Sequence, residues 1–214
     1  MSITISAFAR SPDGGNGHAR DMRVRWALEE AGLAYEVQLM SFEALKQPDY
    51  LVLQPFGQIP AYEEDGIVLF ESGAILLHIA ECHGGLLPLD PARRAIAISW
   101  MFGALNTLEP PIVEWETAHY FEQDMPWYRE RLQMIKVRIR QRFADLARAL
   151  GEAEWLAGEF SAADILMVTV LRRLEGSGLV EEFPSLAAYV ERGKARPAFQ
   201  RAVAAQRAEL LKAE

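Results

Sequence analysis

Apolar and polar residues alternate from Ile3 to Phe8, the period of a strand with one buried face, and Arg10 to Asp21 then turns rich in Gly, Asn and Asp, the composition of a loop. From Met22 to Ala31 the apolar positions Val24, Ala27, Leu28 and Ala31 recur at helical spacing, with Gly32 as the stop. Tyr35 to Met40 reads as a second strand. Phe42 to Leu53 is polar and irregular, a loop with a helical turn broken at Pro48. Ile59–Tyr62 and Ile67–Phe70 are short apolar runs separated by Glu63-Glu64-Asp65-Gly66, a hairpin signal in which Gly66 supplies the positive φ. A helix is expected to start near Ser72. The order βαβ–ββα leaves too little chain for a second parallel crossover, so the expected packing is a small mixed sheet flanked by helices.

Beyond His83 the pattern changes. Residues 84–91 carry Gly84-Gly85 and Pro88-Leu89-Asp90-Pro91 and read as a linker between an α/β domain at 1–83 and an all-helical bundle at 92–214. In the second half, Leu132, Ile135, Ile139, Phe143, Leu146 and Leu150 mark one face of a long helix that Gly151 ends. The interleaved Arg131, Lys136, Arg138, Arg140, Arg142 and Arg148 read as its solvated face rather than a basic groove. Glu109-Pro110-Pro111 should end or kink a helix. In Phe160-Ser161-Ala162-Ala163-Asp164-Ile165, Ser161 and Asp164 form a capping box, with Phe160 and Ile165 as a staple.

Composition narrows the function. The chain has 214 residues and a formal charge of −8, which opposes attraction to phosphate backbones and anionic lipid, so neither nucleic acid nor membrane is an expected partner. Cys82 is the only cysteine, which excludes an intrachain disulfide and a CxxC pair and fits a reducing, cytoplasmic compartment; it is expected to be a packed thiol. The start lacks a basic leader and an apolar signal core, and no apolar run reaches about 18 residues, so a soluble protein is expected. His78 and His83 share a helix with no third ligand in reach, so no metal is expected.

The candidate chemistry lies in two short segments. Gln58-Ile59-Pro60 opens the third strand, where proline removes a ladder hydrogen bond. It is either an edge-strand proline or, with a cis Ile59–Pro60 bond, a place where Ile59 offers its backbone to an extended peptide. Glu71-Ser72 sits where a strand hands over to a helix. Ser72 suits an N-cap among free amides that hold a carboxylate, while Glu71 can hold an ammonium. Taken singly, Ser72 merely caps and Glu71 is merely solvated; together they match the zwitterionic end of a γ-glutamyl peptide.

Pro55-Phe56-Gly57-Gln58-Ile59-Pro60-Ala61, Leu69-Phe70-Glu71-Ser72-Gly73-Ala74-Ile75 and the Phe160–Asp164 box, in this order and spacing, resemble the glutathione S-transferase family, as does the first helix, Arg23-Val24-Arg25-Trp26-Ala27-Leu28-Glu29-Glu30. The resemblance spans most of the chain. It implies a thioredoxin-like domain followed by an all-helical domain, a homodimer, and glutathione as co-substrate with a small hydrophobic electrophile as its partner. By position, Ile59 would pair with the cysteinyl backbone, Pro60 would be cis, Glu71 and Ser72 would hold the γ-glutamyl end, Gln58 would lie near that end or the glycyl end, and Lys46 is a candidate for the glycyl carboxylate.

The family places a Tyr, Ser or Cys after the first strand to act on the glutathione sulfur. Here Ser11-Pro12 resembles the serine form, but Asp13 to Arg20 is an apparent insertion before the helix, and alignment from the helix backward moves the position toward Asn16 or His18. A thiol of pKa about 8.5 needs roughly 2.7 kcal/mol of thiolate stabilisation to ionise two units lower. Ser11, Asn16, loop amides, or a protonated His18 or Arg20 are the donors available; for Ser11 the alternative is a turn residue before proline. No cysteine lies in this loop, which disfavours a protein mixed disulfide. Trp100, Phe102, Trp115 and Tyr120 are candidates for an acceptor pocket between the first loop and the opening helices of the second domain, or simply core aromatics. The leading expectation is transfer of the thiolate to an electrophilic carbon. The alternatives are a non-catalytic glutathione-binding module and glutathione-dependent peroxide reduction or isomerisation.

Overall fold

The computed structural model of the chain describes residues 2–11 and 13–212. The chain divides into two compact units, Met1–Leu87 together with Lys194–Glu214, and Pro88–Gly193. In the first, β1 (Ile3–Phe8), α1 (Asp21–Ala31), β2 (Glu36–Met40), a 3-10 turn (Ala44–Lys46), α2 (Pro48–Leu51), β3 (Ala61–Glu64), β4 (Ile67–Phe70) and α3 (Ser72–His83) follow in order. The sheet order is β2-β1-β3-β4, with β1 parallel to β2 and antiparallel to β3, and β3 antiparallel to β4. This is the expected mixed sheet.

Local signals account for most boundaries. Gly32 takes φ 68° and closes α1, its N–H bonding to the Glu29 carbonyl. Pro48 starts α2 rather than breaking a helix, because its missing N–H costs nothing in the first turn. Asp65 and Gly66, at φ 46° and 87°, form the two-residue hairpin turn. The third strand begins at Ala61, just after the proline.

The last helix, α9 (Pro197–Lys212), packs on α1 and falls within the first compact unit. The cause is a charged seam that α1 presents. Arg25, fully buried, bonds Asp21 at 2.8 Å and Glu209 at 2.6 Å, and Gln206 donates to Asp21 at 3.3 Å. Further along, Arg196 forks onto Glu30 at 2.5 and 2.8 Å, and Phe199 meets Trp26 edge-on at 4.9 Å. Removing either partner of such a buried pair strands a charge, so the seam fixes which surface α9 covers.

The second unit contains α4 (Pro91–Gly103), a π-helical stretch (Ala104–Leu108), α5 (Glu109–Phe121), α6 (Tyr128–Leu150), α7 (Ala162–Arg172) and α8 (Pro184–Lys194). The expected interruption at Glu109-Pro110-Pro111 takes the form of the π stretch. The two prolines withhold N–H donors from the carbonyls one turn earlier, which lie inside it. Ile135, Ile139, Phe143, Leu146 and Leu150 are the buried face of α6, while Arg138, Arg140 and Arg148 pair with Glu114, Glu182 and Asp145 outside it. Every residue of α7 is buried. Its capping box is present, and Asp164 accepts bonds from the Ser161 amide (2.9 Å), the Leu156 amide (3.0 Å) and the Tyr189 hydroxyl (2.8 Å). Phe160 packs edge-on to Trp155 at 4.9 Å.

At the far end of the hairpin, Glu64 is buried and ties β3 to the end of α3. Tyr62 Oη and His78 Nε2 each lie 2.9 Å from its Oε2, and His83 Nε2 lies 2.9 Å from Oε1. That last pair is an ion-pair approach without a hydrogen bond. Cys82, expected as a packed thiol, is exposed, with Sγ 3.6 Å from His78 Nδ1, because the buried face of α3 ends at Ala80. Burial pushes the Glu64 carboxyl up, but the bonds from His78 and Tyr62 and the nearby His83 charge outweigh it, leaving its pKa below the ordinary value. A carboxyl depressed in the folded state stabilises above its unfolded pKa, about 4.3, and that stability is lost as pH falls through the folded value. Thermal melts of Glu64→Gln should therefore lie below wild type at pH 7, and the gap should close between about pH 5 and pH 3.

Candidate functional site

The strand register brings the candidate segments to one edge of the sheet. Ala61 at the start of β3 is opposite Phe70 at the end of β4, so Pro60 and Glu71 emerge together. Ile5 is opposite Tyr62, which carries the end of β1 and the loop after it to the same edge. The Ala9 amide donates to the Met40 carbonyl at 2.9 Å, so β2 ends there too. Strand ends meeting a helix N-terminus are the usual place for a ligand in a sheet with parallel strands.

The 58–60 segment is held from beneath. The Ile59–Pro60 bond is cis. Ile59 and Pro60 are buried and Gln58 is exposed. Ile59 packs with Met40, Leu45, Tyr50 and Ala61. Gly57 takes φ 61°, and a Cβ there would meet the Leu45 carbonyl oxygen at 2.9 Å, so only glycine fits between the turn and the segment above it. Lys46, at the end of the 3-10 turn, is exposed.

At the second segment, the N-cap position is Glu71, not Ser72 as expected; Ser72 is the first residue of α3. Glu71 adopts φ 69° and ψ 115°, a conformation that a side chain disfavours by about 1–3 kcal/mol. Ser72 is buried, and its hydroxyl accepts a bond from Arg23 Nη1 at 3.0 Å. Arg23 is itself 2% exposed. The amides of a helix N-terminus and a buried guanidinium therefore share one spot, an arrangement that can hold a carboxylate. No role for Arg23 was legible in the sequence, because its partner Ser72 lies 49 positions away and meets it only through tertiary packing.

The loop after β1 is organised by a residue the sequence reading did not single out. The carboxylate of Asp13 accepts bonds from the Gly15 amide (3.1 Å), the His18 amide (2.6 Å) and the Ser11 hydroxyl. Asn16 Nδ2 returns to the Asp13 carbonyl at 2.8 Å, and Arg207 of α9 reaches Asn16 Oδ1 at 3.3 Å. Burial acts to raise the Asp13 pKa, but the Ser11, His18 and Gly15 bonds and the charge of His18 bring it below the ordinary value. Ser11 has a single hydroxyl proton, and it is committed to Asp13. Pro12, of the expected Ser11-Pro12 pair, lies outside the described residues. Arg20 stands at the N-cap position of α1. An Asp before two glycines is a turn former, and that was the signal for Asp13.

The four aromatic candidates belong to the second unit, where Trp115 and Tyr120 are in ring contact. Trp100 lines a cleft of about 320 Å³ with Gly103, Leu108, Arg142 and Leu146. Phe102 is exposed on α4. Trp115 is buried on α5, stacked on His119 at 4.7 Å and edge-on to the exposed Tyr120 at 6.5 Å. Among the described residues no group of three or more His, Cys, Asp or Glu is arranged to hold a metal ion, and no helix is long and apolar enough to cross a membrane.

The fold is thus an α/β unit with its candidate ligand segments gathered at the strand ends, joined in one chain to a helical unit. The family model for the glutathione S-transferase N-terminal domain matches residues 14–81, and that for the C-terminal domain matches residues 112–205. The disulfide-bond oxidoreductase YfcG of Escherichia coli is 34% identical over 172 residues, 74% of this chain and 74% of that protein. Glutathione S-transferase F14 of Arabidopsis thaliana is 32% identical over 196 residues, 83% of this chain and 76% of the relative. A glutathione transferase from Burkholderia graminis, solved with two glutathione molecules bound per subunit, superposes with a TM-score of 0.84 at 28% identity, covering 94% of this chain and 87% of its own. The chain belongs to the glutathione S-transferase family, and its fold is the thioredoxin-like plus helical arrangement of that family.

If Asp13 holds the loop, Asp13→Ala should raise hydrogen exchange at the Gly15 and His18 amides by about tenfold or more, with amides of α3 unchanged. Unaltered protection at both would show that the loop is held by other contacts.

Proposed function

We propose that the protein is a glutathione transferase that joins the glutathione thiolate to an electrophilic carbon of a small hydrophobic molecule. The observation that carries the reading is the Glu71–Ser72 junction, where a non-glycine residue at positive φ opens a helix whose first serine is bound by a buried arginine. In this reading the γ-glutamyl carboxylate lies at Ser72 and the α3 amides, with the Arg23 charge behind them, and the ammonium lies at Glu71. Ile59 pairs with the cysteinyl backbone beside Pro60, Gln58 borders the tripeptide, and Lys46 serves the glycyl carboxylate. Donors to sulfur are drawn from Asn16, His18, Arg20 and the loop amides. Ser11 takes a lesser part because its proton goes to Asp13. The protein works as a cytoplasmic homodimer, and Trp100, Phe102, Trp115 and Tyr120 remain the aromatic candidates for acceptor contact.

A second reading, glutathione-dependent disulfide chemistry, is favoured by the activity named for the Escherichia coli relative. It uses the same cradle and requires the sulfur of glutathione, since the loop supplies no cysteine. Rates with a panel of halogenated aromatic and enone electrophiles, set beside a small disulfide such as hydroxyethyl disulfide, separate the two.

For either chemistry, Glu71→Ala should lower kcat/KM for glutathione by about a hundredfold, the loss expected for a charge-assisted contact. Equal rates in both proteins would remove the site assignment. Ser11→Ala should keep kcat within about threefold of wild type; a loss beyond a hundredfold would return Ser11 to the sulfur.

A further inference from the structure

Two buried hydroxyls lie under the 58–61 segment, each 3% exposed: Ser6 on β1 and Tyr50 on α2. The Ala61 amide donates to Ser6 Oγ at 2.7 Å, Ser6 Oγ and Tyr50 Oη are 2.7 Å apart, and Tyr50 Oη donates to the Gln58 carbonyl at 2.6 Å. Counting protons settles the direction. A phenol has one, and here it goes to Gln58, so the proton between the two hydroxyls is the serine's. The chain runs one way, from Ala61 N–H through Ser6 and Tyr50 to Gln58 C=O. Burial raises the Tyr50 pKa, an effect the Ser6 bond offsets only in part, so the phenol keeps the proton that Gln58 receives.

The two ends of this chain are the residues on either side of Ile59–Pro60. In a planar trans peptide the carbonyl and the following N–H point in opposite directions. Holding the Gln58 carbonyl inward on Tyr50 therefore turns the Ile59 N–H away from the buried cluster. Holding the Ala61 N–H inward on Ser6 likewise turns the Pro60 carbonyl away. The side chain of Ile59, packed on Tyr50 and Leu45, supplies the third support.

We propose that Ser6 and Tyr50 are positioning residues for glutathione: their one-way hydrogen-bond chain fixes both flanks of Ile59–Pro60 and so aims the Ile59 amide at the tripeptide backbone. This rests on the reading of Ile59 as the partner of the cysteinyl backbone. Neither hydroxyl touches the ligand or the sulfur. They act by removing the freedom of the 58–59 peptide plane to rotate, which would otherwise be lost on binding. Tyr50 holds the 58–59 plane directly, whereas Ser6 holds the 60–61 plane directly and bears on the 58–59 plane only through Tyr50.

The test uses the full-length protein and glutathione itself, measured by calorimetry and by steady-state kinetics. Tyr50→Phe, which keeps the ring, and Ser6→Ala should each raise Kd for glutathione about tenfold, with kcat at saturating glutathione unchanged. The double variant should lose less than the product of the two single losses, because Ser6 and Tyr50 share one bond of the chain, and Ser6→Thr, which restores a hydroxyl, should recover wild-type affinity. A general loss of stability would instead lower the melting temperature in both serine variants alike, with no recovery of affinity by threonine. Kd within twofold of wild type in both Tyr50→Phe and Ser6→Ala overturns the proposal, as do multiplicative losses in the double variant. Glu71→Ala distinguishes failure of the underlying reading: if it too binds glutathione like wild type, the cradle itself is misassigned.

Discussion

Ile5 lies opposite Tyr62 and Ala61 opposite Phe70, and from these two pairings the location of every candidate ligand contact in the first unit follows. Shifting either strand by one residue would turn its buried side chains to the other face, so the register is enforced by burial of Ile3, Ile5, Ala61 and Tyr62. With that register, the strand ends carrying the loop at 9–20, the Ile59–Pro60 bond and the Glu71–Ser72 junction meet at one edge. The hydrophobic core thus sets the geometry of a polar site to which it contributes few polar atoms. Ser6 is an exception, a polar side chain on the central strand whose bonds lie wholly beneath the site.

The legible part of this structure is the part decided by neighbours in sequence. Alternation in Ile3–Phe8, the Asp65-Gly66 turn, Gly32 after the first helix and the Ser161–Asp164 box each reflect a residue's own φ preference or a partner three or four positions away. What was not legible depends on distant partners. Arg25 and Arg23 are both buried, which helical spacing alone did not indicate, and the carboxylate that receives Arg25 from α9 lies 184 positions away. That separation is why the docking of α9 on α1 could not be read from the sequence. Tyr50 sat in a stretch with no periodicity, and its partners, Ser6 and the Gln58 carbonyl, come to it only through tertiary packing. Cys82 was misread for the opposite reason: a cysteine among apolar helical neighbours suggests packing, and only the end of the buried face at Ala80 shows otherwise.

The strained backbone at Glu71 has a stated cost and an identifiable support. Its φ of 69° is held from both sides, by the β4 ladder that ends at Phe70 and by α3, whose first full turn is closed by the Ile75 amide on the Glu71 carbonyl at 3.0 Å. Glycine would relieve that strain and leave no carboxylate at the edge. On the proposed reading, a carboxylate kept in this conformation beside the buried Arg23 offers each sign of a zwitterion a complement.

Three serine hydroxyls at this edge have three different proton assignments, and the differences sort their roles. Ser6 gives its proton to Tyr50 and accepts one from the Ala61 amide, so both its capacities are used within the protein. Ser11 gives its proton to Asp13, a bond that would have to be exchanged before the hydroxyl could serve a sulfur. Ser72 is the reverse case. Among the described residues its hydroxyl takes part in a single bond, the one it accepts from Arg23, which leaves its proton for an outside acceptor. A carboxylate is such an acceptor, and the Arg23 bond increases the acidity of that proton by polarising the oxygen that carries it. By this accounting, the serine at the helix start is the one suited to touch a ligand, the serine on β1 to position one, and the serine in the loop to shape the loop itself.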